Sequence, residues 1–304
     1  MKNMKIKFLA LGSAFVLFTS CLKEATMNTD PSTATNVVEL ANTGDNYAPS
    51  GVPGYYSDLG SVAAGASKSF NVNVHYTGPG AAPADIVVRL GIDAATLASY
   101  NTRNGSSKEV PPTGAYSFPD SVIIKKGTNQ TTVDATITVT PSFDFSKSYA
   151  LPIKITSVSA GRIISGNYGA SVYAFGVRNE FDGVYNYRGY ALRAGDAVLT
   201  GYFSNKRMNL LTIGARAVQF GSYALWGDGA GGIGIGYPTM TISSTGTGGV
   251  YPVTFASSGG AYNAPGYNSR YDAGNRTFYV SATWGAGPSA RLLVDTLTYI
   301  GPRP

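Results

Sequence analysis

Few side chains here can do chemistry. Among 304 residues there is one Cys, Cys21, and one His, His75. A single thiol forms no intramolecular disulfide and no Cys-rich zinc centre, and every nucleophile–histidine mechanism would run through His75. His75 alternates with Phe70, Val72 and Val74, so it falls on the polar side of a strand and reads as a solvated residue. Glycoside hydrolysis needs two facing carboxylates. The last 124 residues offer only Asp182, Asp196, Asp228, Asp272 and Asp295, and no Glu. Asp182-Gly183 and Asp272-Ala-Gly274 read as turns, Asp295 sits in a terminal strand, and Asp228 lies in a glycine run that would not fix it. The run from Gly227 to Gly236 matches G-x-G-x-x-G, but no helix pattern follows it, so it reads as a surface loop and not a dinucleotide site. No calcium-loop motif appears, and no metal or cofactor is expected.

Sugar binding asks for less: an aromatic face for the apolar side of the ring and planar polar groups for its hydroxyls. Trp226, Tyr237, Tyr262, Tyr267 and Tyr271 lie in or beside Gly/Asn/Ser-rich loops, accompanied by Asp228, Asn263, Asn268 and Arg270. These nine are the candidate glycan-binding residues. The competing reading of each aromatic is core packing, which Trp284 already suggests by sharing the parity of Phe278 and Val280.

The elements that must position these groups are strands. Charged residues make up 13% of the chain and aromatics 12%, with 38 Gly and 16 Pro, a composition that disfavours helical bundles. Period-2 alternation marks Phe70–Tyr76, Ile86–Ile92 and Val133–Val139, and one short helix fits Asp93–Tyr100. Six or seven strands over this stretch predict an immunoglobulin-like β-sandwich. From Glu180 the chain becomes Gly- and Tyr-rich, and eight further strands predict a second antiparallel domain, a sandwich or an open barrel. The expected organisation is residues 1–20 a signal peptide, 21–60 a lipidated Cys and flexible tether, 61–179 the sandwich, and 180–304 the all-β glycan-binding domain. The formal charge of +6 falls to +3 without the leader lysines, and no basic stripe exists, so nucleic acid is not an expected partner.

The leader carries Lys2, Lys5 and Lys7, an apolar run from Phe8 to Phe18, then Thr19-Ser20-Cys21. This is a secretory signal whose end resembles a bacterial lipobox. The resemblance implies lipidation of Cys21 and anchoring to the outer membrane. Leu22-Lys23-Glu24 resembles the surface-export signals of Bacteroidetes lipoproteins.

A wider resemblance rests on Asp85-Ile-Val-Val-Arg-Leu-Gly-Ile-Asp, Leu97-Ala-Ser-Tyr-Asn, Ile123-Ile-Lys-Lys-Gly and Tyr149-Ala-Leu-Pro-Ile-Lys-Ile-Thr-Ser. These are similar to the N-terminal sandwich domain of Bacteroidetes surface lipoproteins, which also precedes some endo-N-acetylglucosaminidases. Asn179-Glu-Phe-Asp-Gly-Val-Tyr and Tyr271-Asp-Ala-Gly-Asn-Arg-Thr-Phe-Tyr resemble the all-β domain that often follows it. The resemblance implies a non-catalytic, glycan-binding surface lipoprotein of a polysaccharide-utilisation system, accessory to a SusC/SusD-type importer. The alternatives are a structural or protein-partner-binding surface subunit, and a glycoside hydrolase. Asp120-Ser121-Val122 and Asp295-Thr296-Leu297 also resemble short O-glycosylation sites of Bacteroidetes.

Overall fold

The structure, a computed structural model, describes residues 34–42, 51–221 and 235–303. The expected signal peptide over residues 1–20, Cys21, Trp226 and Asp228 lie outside these residues.

The first half contains β1 (Val37–Leu40), β2 (Gly54–Ser61), β3 (Ser67–Thr77), β4 (Ile86–Ile92), α1 (Ala94–Asn104), β5 (Tyr116–Ser117), β6 (Ser121–Ile124), β7 (Gln130–Thr138), β8 (Tyr149–Val158), β9 (Ile163–Ile164) and β10 (Ala170–Arg178). They form two five-stranded sheets, ordered β5-β7-β3-β1-β9 and β2-β10-β8-β4-β6. The alternating residues of β3, β4 and β7 meet between the sheets, with Val72, Val74, Val88 and Ala135 fully buried. Alternation fails in β8 and β10, whose first residues are buried on both faces. The cause is α1: Leu97 packs with Ala150, Val172 and Ala174 on the outer face, while Tyr173 and Phe175 face the core.

The tether expected over residues 21–60 is corrected in part. Val38 and Leu40 are fully buried and β1 pairs antiparallel with β3, while β2 runs parallel to β10. A four-residue alternation among Asn and Thr is too short to stand out in the sequence, but burial of two aliphatics against a preformed sheet stabilises it.

The second half contains β11 (Gly183–Arg193), β12 (Gly201–Gly214), β13 (Ala217–Phe220), β14 (Thr239–Ile242), β15 (Val250–Ala256), β16 (Tyr262–Asn263), β17 (Arg270–Asp272), β18 (Thr277–Trp284) and β19 (Arg291–Gly301). All pair antiparallel, and β14 pairs with β15 to close the sheet on itself. Of the two expected forms, the domain is a barrel, and a closed one of eight strand positions, β16 and β17 sharing one. Closure removes the exposed edges that an open sheet would leave. Inward residues fill the interior, among them Tyr185, Tyr187, Leu210, Phe255, Phe278, Trp284 and Leu297. At this strand number side chains occupy the lumen.

Two features shape the wall. Ala197–Tyr202 and Asn209–Gly214 read as separate strands in the sequence, but 201–214 is one strand, β12, bulged opposite Tyr187–Gly189. Asn205 takes a left-handed φ of 56° there, a conformation that Asn tolerates better than most residues. Across from the bulge, the carbonyl oxygen of Val294 lies 1.8 Å from where a Cβ on Gly189 would sit, so only glycine lets β11 and β19 approach this closely.

The described residues from 36 onward belong to one compact unit. The chain passes from β10 to β11 through a hydrogen-bonded knot. Asn179 donates from Nδ2 to the carbonyls of Gly214 and Ala217, and its Oδ1 accepts from the Phe181 N–H. Asp182 accepts from the N–H and the hydroxyl of Thr212, both at 2.8 Å. The Arg303 guanidinium grips the same carboxylate at 2.7 and 3.0 Å. The Arg303 carbonyl in turn accepts from Arg178, which pairs with Asp58 of β2.

Candidate functional site

The outward face of the barrel follows from strand register. Across β12, β11, β19 and β18, one row runs Tyr202, Tyr190, Val294 and Ser281. The next carries Arg188, Thr296 and Tyr279, with the bulged Ser204 and Asn205 opposite Arg188. The third holds Arg207, Asn186 and Thr298. The Tyr190 and Tyr202 rings stand 4.9 Å apart at 54°, and Tyr202 is 86% exposed. Beside this aromatic ridge lies a hollow of about 600 Å³, lined by Asn186, Arg188, Ser204, Asn205, Thr296, Thr298, Tyr299 and Ile300. The depression lies where the bulge bends β12 and where Ser204 and Thr296 present small side chains. The ridge supplies an apolar face, and the hollow supplies planar amides, a guanidinium and hydroxyls.

The residues singled out from the sequence do not gather in one place. Tyr237 is 70% exposed and precedes β14, whose Thr239 neighbours Ala256, itself opposite Tyr262. Tyr262, 56% exposed, therefore lies at the same end of the barrel as Tyr237. Asn268 and Arg270 line a separate hollow of about 350 Å³ with Thr245, Gly246, Thr247, Val250 and Pro252. Arg270 sits 4.3 Å over the Tyr279 ring and donates to the Asn268 carbonyl. Tyr267 is exposed in the excursion between β16 and β17.

Two candidates are corrected. Tyr271 is buried inside the barrel, 5.0 Å from the Phe181 ring and 4.6 Å from Phe278. It falls inward because β17 alternates and Arg270 takes the outer position. Asn263 spends its amide on the backbone, accepting from the Phe255 N–H at 2.5 Å and donating to the Val253 carbonyl at 2.7 Å. It splices β15 to β16, and these backbone bonds fix its amide in a structural role. Asp295 and Leu297 of the O-glycosylation-like motif are also fully buried.

The ridge and hollow were missed because strand parity alone does not say which strands adjoin. The signal was present: Asn186 and Arg188 alternate with the inward Tyr185 and Tyr187.

A family model described as a "-like, N-terminal domain" matches residues 42–162, the greater part of the sandwich. The chain is all-β, and this stretch of it is similar to that N-terminal domain. No curated protein matches it. A Bacteroides ovatus crystal structure of unknown function shares 15% identity and a TM-score of 0.55, over 88% of this chain and 97% of its own, so the fold is the same. A candidate carbohydrate-binding protein of the same species is 10% identical, with a TM-score of 0.39 over 86% of this chain and 79% of that one. EndoBT-3987 of Bacteroides thetaiotamicron is 18% identical with a TM-score of 0.34, over 42% of this chain and 29% of that one.

Proposed function

We propose that this protein is a non-catalytic, glycan-binding lipoprotein of the outer bacterial surface, accessory to a SusC/SusD-type importer. The observation that carries the reading is the Tyr190–Tyr202 ridge beside a hollow of planar and hydroxyl groups on a rigid closed barrel. Exposed aromatics cost solubility and add nothing to the core, so a pair with rings in contact beside free polar groups favours a ligand role. Among the described residues no carboxylate lines the hollow, which favours binding over hydrolysis. The sandwich serves as the support that holds the barrel away from the membrane.

Isothermal titration against a glycan panel tests the binding. Stacking on one aromatic is worth about 1–3 kcal/mol for nucleic-acid bases, and a sugar face is taken on the same scale. Tyr202→Ala therefore weakens binding about fivefold to a hundredfold. Because Tyr202 is exposed, its melting temperature stays within a degree or two of wild type. Unchanged affinity would remove the ridge from the account. The anchor is tested separately: Cys21→Ala abolishes fatty-acid labelling and releases the protein from the outer membrane, and normal labelling of that variant would refute lipidation.

A further inference from the structure

The free charges of the wall say which glycan. Several cations stand beside acids: Lys125 with Asp85, Lys147 with Glu109, Lys154 with Asp93 and Arg178 with Asp58 in the sandwich, and Arg193 with Asp196 and Arg216 with Glu180 in the barrel. On the β11–β12 wall two arginines that flank one hollow have no such partner. Arg188 and Arg207 are exposed, and among the described residues no hydrogen bond, ion pair or ring contact engages either guanidinium. Half-buried Lys206, just before Arg207 on the same strand, also has no partner among the described residues. The described acids of the barrel are committed elsewhere. Asp182 is held by Arg303 and Thr212, and Asp196 caps the Val198 and Leu199 N–H groups and faces Arg193. Asp272 accepts from the Gly274 N–H, and Asp295 is buried within the barrel.

We infer that the hollow on the β11–β12–β19 wall takes an acidic glycan, one bearing carboxylate or sulfate groups; this rests on the glycan-binding reading above. A neutral sugar is satisfied by amides and hydroxyls and has no use for two unpaired guanidinium groups. A carboxylate or sulfate matches the arginine fork, which can meet it through two parallel hydrogen bonds. Arg188 lines the hollow, and Arg207 stands opposite Asn186, which also lines it. The Tyr190–Tyr202 ridge lies one row away, within reach of the next ring of a chain. A ligand spanning both thus presents an apolar ring face and an anionic substituent in alternation, as a uronic-acid or sulfated oligosaccharide does. Among the described residues no exposed acid lines the hollow, so the unpaired guanidinium groups set a local potential that draws such a polyanion in.

The test is titration of the full mature chain with tetragalacturonate and a chondroitin sulfate tetrasaccharide, against neutral cellotetraose and mannotetraose. The acidic probes bind at least tenfold more tightly at 50 mM salt, and about threefold or more of that affinity is lost at 500 mM. Arg188→Gln and Arg207→Gln each weaken acidic binding about tenfold and flatten its salt dependence, with thermal melting confirming that both variants fold. Neutral oligosaccharides binding as well as acidic ones would overturn this inference and leave the glycan reading intact. No binding of any oligosaccharide would overturn both. Tighter binding of an oligodeoxythymidylate, which also offers π-faces and anions, would overturn the inference in favour of single-stranded nucleic acid.

Discussion

Asp182→Ala removes about 3–5 kcal/mol of stability, the largest single-residue effect expected outside the hydrophobic core. Its side chain is 1% exposed, and its oxygens accept two bonds from Thr212 and two from Arg303. Loss of the carboxylate leaves the Thr212 N–H without its acceptor and the Arg303 charge, only 26% exposed, without its partner. Breaking a buried pair in this way costs more than the pair itself contributes. Arg303 also accepts from Arg178, so the damage reaches the sandwich side of the joint. Asp196→Ala, in an exposed turn, costs about 1 kcal/mol and serves as the control. Chemical denaturation measures both. A loss below about 1 kcal/mol for Asp182→Ala would show that the C-terminal clasp is ornamental.

The second large effect is alkaline unfolding. Burial pushes the phenol of Tyr187 up to about 12, helped by the nearby Asp295 charge. Burial raises Tyr173, Tyr185 and Tyr271 as well, from an ordinary value of 10.0. A phenol is neutral when protonated, so the folded state holds protons that the unfolded chain releases above pH 10. Stability contributed by each group is intact below that pH and falls by about 1.4 kcal/mol per pH unit as pH rises toward the folded value. For Tyr187 the window is about pH 10 to 12, and several phenols acting together make the fall steep. The ultraviolet titration of tyrosinate is expected in two stages. A first rise comes in the ordinary phenol range, and a cooperative step follows at higher pH together with loss of the β circular-dichroism signal. A single smooth titration with the fold intact past pH 12 would contradict the buried-phenol core.

Where side chains alternate cleanly, the sequence was enough. Phe70 to Tyr76, Val133 to Val139 and the inward Trp284 lie where period-2 parity puts them. Alternation is a local property, and burial on one face of a sheet enforces it. What escaped is non-local. β1 became a strand because β3 was there to receive it, and the barrel closed because β14 met β15. The bulge at Asn205 joined two expected strands into one. The candidate site suffered in the same way. Loop composition drew attention to Tyr271 and Asn263, which the structure uses for the core and for splicing strands. The ridge and the hollow belong to strands β11, β12 and β19, distant in sequence and adjacent only once the barrel is closed.

Glycan binding by the barrel wall, as proposed, runs through the Tyr190–Tyr202 ridge. The measurement that reaches it most directly is calorimetric titration of the wild type and Tyr202→Ala with the same oligosaccharides, each protein first checked by thermal melting. The expected result is saturable binding to at least one oligosaccharide, and a loss of about fivefold to a hundredfold in the variant with the melting temperature unchanged. Equal affinities for the two proteins, or no binding by a folded wild type across the panel, would contradict it.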